Sequence, residues 1–543
     1  MLTYTPQSER PIASSKEQDK PWLLVLLCLF WVLPGLMGHD PWKPEENEAA
    51  ALIVDILRSN HWVLPHLADR PYFDTAPLYF WVAAVFANAL TWFGVAVHDA
   101  ARLSTGLWVG AALWGVGLAG RELFGHRYGR LAVVILLGAL GLIVWGHHIS
   151  PAILTLTASA WMVYALALSR RLPLRAGLIL GLAYLILLLG ATWADALLAL
   201  LASVSLMFYK AWRKSAYGIT LTTALIISLP LAALWGYALH TESSVLFHTW
   251  WRNFAWGAYG GASSVATFGD FSFLPQTLPW FTWPVLPLTV WSVWINRDSF
   301  RADPRWHLLC TLAGAHLLFV ICAGHPTEAN VLPLLLVMSV IAVAGVDDLR
   351  RGAASALNSF AILTFGLAAI LIWSGWLVLL IGQPADLLAR LHRYSTAPMQ
   401  IAPVGLLFAL AATVLWGSVL LRRRALGRKA LTNWTCGISL ILCLFIGLFQ
   451  NWIDAGKSYR PVADAVQALN VKFQPHCLDA TQIPSAPLGA LAYFGTYSIS
   501  TQDVNSCSMA IRPADVTPPV RWTLLAQVQR LGESKEQFNI YLK

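Results

Sequence analysis

Along most of the chain, apolar runs of roughly twenty residues alternate with short polar turns, the length a helix needs to cross a bilayer core of about 30 Å. Two regions break the rhythm: a polar, acid-rich stretch that begins at His39, and everything after Asn451. Arginine and lysine gather between the runs, at Arg121/Arg127/Arg130, Arg170/Arg171/Arg175, Lys210/Arg213/Lys214, Arg297/Arg301/Arg305, Arg350/Arg351 and Arg422/Arg423/Arg424/Arg428/Lys429. Positive clusters in short loops stay cytoplasmic, and each interval between them has room for two crossings, which predicts about thirteen spanning helices. Pro77 to Val97 is also apolar, but counting it as a crossing would turn the Arg121 cluster outward. Its aromatic side chains, among them Tyr79, Trp81, Trp92 and Phe93, suit the headgroup layer, so it is expected to lie along the outer surface as an interfacial helix.

The expected organisation is a cytoplasmic N-terminus (1–21), a transmembrane domain (22–450) with outer loops at 39–101 and 238–275, and an outer C-terminal domain (451–543). The tail has soluble composition, with a helical pattern over Val462 to Leu469 and strand-like runs at Leu491 to Phe494 and Trp522 to Val528, so a small α/β domain is expected. The apolar run from Pro21 to Met37 lacks a small-residue cleavage site and is read as a retained first span.

Composition narrows the function class. Of 543 residues 57% are hydrophobic and only 12% charged, against about 25% charged in soluble domains. The net charge of +9 is spread over the cytoplasmic clusters, which argues against a nucleic-acid partner. Five cysteines lie in apolar runs, while Cys477 and Cys507 are the pair in the polar tail. In an exported domain two such thiols are expected to form a disulfide.

Candidate chemistry concentrates in the outer loops. Pro44 followed by Glu45, Glu46 and Glu48 reads as a helix start with an acidic first turn, and for Glu48 that solvated role is the preferred reading. Asp195, alone in an apolar run, is a functional candidate by default. His39, His61, His66, His147, His148 and His325 fall on the outer face, but no H-x-x-x-H or Cys/His spacing is present. They are read first as neutral hydrogen bonders, with no metal site expected.

The stretch HDPWKPEENEA (39–49), followed by SNHWVLPHLADRPYFDTAPLYFW (59–81) and ARLS (101–104), resembles the first outer loop of GT-C glycosyltransferases. It is most similar to the bacterial 4-amino-4-deoxy-L-arabinose transferases and dolichyl-phosphate-mannose-type relatives, which read approximately PDEA, GDWxxPxL, PYFEKPPLxYW and ARL. RELFGHRYGR (121–130), VLPLLL (331–336) and SYRPVADAV (458–466) extend the resemblance over nearly the whole chain. It implies a GT-C fold in the bacterial inner membrane, juxtamembrane helices, a periplasmic C-terminal domain, and transfer of a sugar from a polyprenyl-phosphate donor to a lipid or envelope-glycan acceptor. The family's catalytic acidic pair falls on Glu45 and Glu46, its next glutamate on Asp74, and the lysine after that on Thr75. Asp40 is a nearby alternative acid. Three further family features are absent: the second outer turn, HHISPAIL (147–154), lacks the family's aspartate, the third, ATWADA (191–196), lacks its lysine, and HPTEAN (325–330) before VLP lacks its basic residue. Expected phosphate contacts are therefore Lys43, Arg70, Arg252 and His148, with His147, Asp195 and His325 as further candidates. No cofactor is assigned, and a divalent cation stays open. The alternative is a degenerate member that binds polyprenyl lipid or assists another transferase; a transporter ranks last because the spans carry few polar residues.

Overall fold

The structure is a computed structural model that describes residues 22–42, 44–421, 426–502, 507–516, 522–530 and 536–543. It is a polytopic α-helical bundle with a small mixed-sheet domain at one end. Seven of the described helices are long and apolar enough to cross a membrane: Val97–Phe124, Pro173–Gly190, Ser215–Glu242, Pro304–Cys322, Arg351–Ile381, Pro403–Leu420 and Gly427–Lys457. Five shorter apolar helices accompany them. Apolar runs read as whole crossings are broken in places, as where Gly138 and Ala139 separate His126–Leu137 from Leu140–Trp145. Close helix packing uses small residues: a side chain at Gly405 would meet the backbone of Gly447 at 2.2 Å, an approach typical of helices that associate in lipid.

Four helices frame the first outer loop: α1 (Trp22–Val32), α2 (Glu45–Ser59), α3 (Leu78–Thr91) and α4 (Val97–Phe124). At 14 residues α3 is about 21 Å long, short of a bilayer core. α2 is amphipathic and carries its buried face, Ala50 to Ile56, into the main core. Between α2 and α3 lies a minimal hairpin of β1 (His66–Leu67) and β2 (Arg70–Pro71).

The last long helix, Leu426–Lys457, runs beyond residue 450, where the tail is expected to begin, because Trp452 still packs in a buried apolar cluster. After it come the helix Arg460–Phe473 and a five-stranded sheet of order β4-β3-β5-β7-β6. Its strands are β3 (Leu478–Asp479), β4 (Ile499–Ser500), β5 (Met509–Pro513), β6 (Thr523–Gln529) and β7 (Gln537–Leu542). β3 runs parallel to β4 and β5, while β7 pairs antiparallel with β5 and β6. Leu491 to Phe494, expected as a strand, instead ends the helix Ser485–Phe494. A four-residue apolar run carries no period by which to tell the two apart. Gly489 of this helix lies against the backbone of Asn47, where a Cβ would stand 2.7 Å away, so the domain seats directly on α2.

Cys477 and Cys507 are bonded across a sequence separation of 30, joining the residue before β3 to the approach to β5. Replacing both by serine is expected to cost about 2 to 5 kcal/mol, seen as a lowered unfolding temperature that reductant imposes on the wild type but not on the variant.

Candidate active site

The acidic first turn of α2 sends its carboxylates in two directions. Residues three apart share a helix face while neighbours do not, so Glu45 and Glu48 face one way and Glu46 the other. Glu46 is 1% exposed. Its carboxylate takes Nε of Arg102 at 2.8 Å and Nη2 at 3.3 Å, the backbone N–H of Trp42 at 2.8 Å and that of Ile149 at 3.1 Å. Arg102, fully buried on α4, also donates to the carbonyls of His39 (2.8 Å) and Asp40 (2.7 Å) and to Asp99 (2.9 Å). Burial is the largest single influence and pushes the Glu46 pKa up; the charge and hydrogen bond of Arg102, together with His39 and His148, outweigh it jointly and pull the pKa down to about 2. Glu46 is thus committed to the buried Arg102 pair, its carboxylate turned to the opposite helix face from Glu45.

Asp40 is likewise committed. It pairs with Arg460, whose Nε lies at 2.8 Å, and accepts the Ser458 hydroxyl at 2.7 Å. Burial acts to raise its pKa, yet Arg460 and Ser458 hold it below the ordinary carboxylate value. Its N–H and the Trp42 indole N–H both donate to Asp454, at 3.0 and 2.9 Å. The SYRPVADAV segment of the tail therefore holds Asp40, on the irregular segment ahead of α2.

On the other face of α2 opens a cavity of about 250 Å³, below the roughly 300–1,000 Å³ of drug-sized ligand sites and suited to one small group. Five segments far apart in sequence build it: Glu45 and Glu48; Tyr72 and Thr75; Ile149 to Ala152 with Thr155; Gly190 to Thr192 with Asp195; and Ala329 with Asn330. The first two of these segments belong to the wording that resembles the transferase motifs, whereas the other three are turns where this chain departs from it. Thr192 caps the helix Trp193–Ser205, accepting from the Asp195 N–H at 3.3 Å and donating its hydroxyl to the Asp195 carboxylate at 2.5 Å. Asn330 is fixed by a capping box with Thr327. Tyr72 stands edge-on to Phe80 with centroids 6.1 Å apart. Burial, with Asp74 and Glu48 beside it, raises the Tyr72 pKa far above neutral, so its hydroxyl keeps its proton. The Thr75 hydroxyl is buried with no protein partner. No lysine or arginine is among the described residues lining the cavity.

Glu48 is the lining residue the sequence reading left aside. Burial raises its pKa, the Ser485 hydrogen bond opposes this, and the like charges of Asp74 and Glu45 add to the rise. The signal was there: three residues separate it from Glu45, one step along the same helix face.

Several expected contacts lie elsewhere. Asp74 is exposed and outside the cavity lining. Arg70 donates to the Thr501 carbonyl at 2.5 Å, beside an Asp69–Thr501 pair, clamping the hairpin to the C-terminal sheet. His147 is buried with its ring nitrogens against the carbonyls of Ile143 (2.9 Å) and Trp31 (2.8 Å). His148 is half-buried, and its carbonyl accepts from Thr105 at 2.9 Å. His325 is exposed, its N–H bonded to Ala258 at 2.9 Å. Arg252 is exposed on the helix Ser244–Asn253, whose neighbouring Trp251 packs on Trp193, two residues from Asp195. Lys43 lies outside the described residues.

No family model matches the chain. Among solved structures it is similar to ArnT from Cupriavidus metallidurans bound to undecaprenyl phosphate, with a TM-score of 0.62 at 17% identity over 96% of this chain and 98% of that one. The chain has the GT-C fold. Curated relatives are undecaprenyl phosphate-alpha-4-amino-4-deoxy-L-arabinose arabinosyl transferases. That of Pectobacterium carotovorum subsp. carotovorum (strain PC1) is 26% identical over 63% of this chain and 62% of its own length. That of Aeromonas salmonicida (strain A449) is 25% identical over 73% and 77%. The chain spans 62% of the length of the first two such relatives.

Proposed function

We propose that the chain is a membrane glycosyltransferase that moves a sugar from a polyprenyl-phosphate donor to a lipid or envelope-glycan acceptor at the outer face of the bacterial inner membrane. The observation that carries the reading is the convergence of five separate segments on one small cavity with Glu45 and Glu48 on a single helix face. Glu45 takes the proton of the acceptor hydroxyl as its oxygen bonds to the anomeric carbon. The bond from that carbon to the phosphate oxygen breaks, and the electron pair leaves with polyprenyl phosphate, inverting the sugar centre. Tyr72, Thr75 and Asn330 supply neutral donors to the sugar.

Three carboxylates, Glu45, Glu48 and Asp195, with no described lysine or arginine among the lining, favour a sugar that carries an ammonium group. The same charge pattern disfavours the phosphate inside the cavity, so the phosphate binds outside it, with Arg252 as the described cation to test as its contact. In this orientation the C-terminal domain is periplasmic, where its disulfide persists. The scarcity of cations favours one rival, a polyprenyl-binding relative without transferase activity.

Membranes holding the wild type, supplied with radiolabelled undecaprenyl-phosphate sugars, are expected to pass label to envelope lipids, an aminosugar donor ahead of its neutral counterpart. Binding of undecaprenyl phosphate with no transfer from any donor would establish the rival.

A further inference from the structure

The far end of α2 holds a second constellation, built from side chains that the cavity does not use. α2 ends at Ser59, and Asn60 takes the left-handed conformation (φ 58°) as its C-cap. That reversal brings His61 back onto the helix, where its Nδ1 lies 3.0 and 2.9 Å from the two Asp55 carboxylate oxygens. His66 in β1 donates its backbone N–H to Asp55 Oδ2 at 2.8 Å, and its Nδ1 stands 3.9 Å from the same oxygen. The two imidazoles are 4.4 Å apart between centroids, and one ligand atom from each of the three residues falls within 4.8 Å of the others.

Hydrogen bonding accounts for only part of this arrangement. One proton on His61 Nδ1 satisfies its contact with Asp55. At 3.9 Å His66 Nδ1 is too far from the carboxylate for a hydrogen bond, and it is buried with no partner. Protonating both rings would set two cations in contact. A dication resolves the conflict: imidazole nitrogens and carboxylate oxygens bind zinc at about 2.0–2.2 Å, which places ligand atoms about 3.3 Å apart in a tetrahedron. The separations of 2.9 and 3.9 Å bracket that edge.

We infer that Asp55, His61 and His66 form a divalent-metal site of the zinc class, distinct from the cavity, that clips the first outer loop to α2. Three protein ligands leave a fourth position open. The helix Ser215–Glu242 packs beside the site: Glu242 acts on His66 through its charge, and Trp235 donates to the Val63 carbonyl at 3.0 Å, between the two histidines in sequence. The site has a structural task to perform. The β1–β2 hairpin has only two residue pairs, too few to stand alone, and the chain passes from it straight into Tyr72 and Thr75 of the cavity. The ten residues from Glu45 to Asp55 separate the two sites by about 15 Å along α2, so metal here acts on the cavity by holding the loop and not by touching substrate.

The test uses the full-length protein in detergent, stripped with chelator and titrated with zinc. The wild type is expected to take up about one zinc per chain and to unfold at a higher temperature when loaded. His61→Asn/His66→Gln is expected to lose that zinc, with affinity falling by more than the roughly 10- to 100-fold lost when a residue that only hydrogen-bonds to a ligand is changed. Equal zinc uptake by wild type and variant overturns the site. A readout that needs no variant is cobalt loading of the wild type: visible absorption of a low-symmetry, histidine-bound cobalt supports the site, and a spectrum of hexaaqua cobalt alone overturns it.

Discussion

Glu45→Gln is expected to lower sugar transfer by about 100- to 10,000-fold, the usual contribution of a general base, while the protein extracts and migrates as the wild type does. The amide keeps the side chain's length and polarity and removes only its basicity, and the position is exposed at the cavity, so the change takes no anchor from the fold. Its neighbour gives the contrast. Glu46→Gln removes the charge that Arg102 faces in the interior, so its damage is to stability and arrives before any effect on chemistry can be read. Asp74→Asn removes a charge that acts on Tyr72 and Glu48 from outside the cavity lining, and is expected to lower transfer far less than Glu45→Gln does. Label transfer at matched protein levels checks all three. Full transfer by Glu45→Gln would remove Glu45 from the mechanism.

Arg102→Met is expected to be the most damaging single change to stability, about 3 to 5 kcal/mol, the cost of leaving a buried charge without its partner. It strands the Glu46 and Asp99 carboxylates and the His39 and Asp40 carbonyls together. The double variant Glu46→Leu/Arg102→Met is expected to be more stable than Arg102→Met alone, because it removes the stranded charge as well. Acidity supplies a second check. The Glu46 pKa is lowered from 4.5 to about 2 in the folded chain, so the stability it contributes is complete above pH 4.5. That contribution is lost as the pH falls from there towards 2. Unfolding temperatures measured across this window should fall for the wild type, with the Glu46 share of the decline missing in the double variant. Equal thermal stability of Arg102→Met and wild type would show that the buried pair does not hold the loop.

How much of this was legible depends on the reach of each interaction. The helix start at Pro44, the acidic turn and the alternation of apolar runs with positive clusters are local patterns, and the helix Glu45–Ser59 and the apolar helical bundle follow them. Glu46 was read as a catalytic companion because its partner stands 56 residues away, and no local signal separates an acid that meets substrate from one that meets a buried arginine. Asp40 and Arg460 are 420 residues apart, further still beyond any window. Glu48 was within reach, since helical spacing alone puts it beside Glu45, but an acid in a first turn has so ordinary a role that the spacing was not weighed. Asp55, His61 and His66 match no metal-ligand spacing, because the left-handed turn at Asn60 brings His61 back in a way that neither helix nor strand periodicity describes.

The contact between Asp40 and Arg460 also sets an order of events in biogenesis. The ribosome adds about 5 to 20 residues per second, so the 420 residues between these partners take about 20 to 80 s to emerge. Throughout that interval the irregular segment around Asp40 lacks its clasp. A nascent chain arrested before Arg460 should therefore carry a first outer loop open to added protease, and release of the full chain should close it.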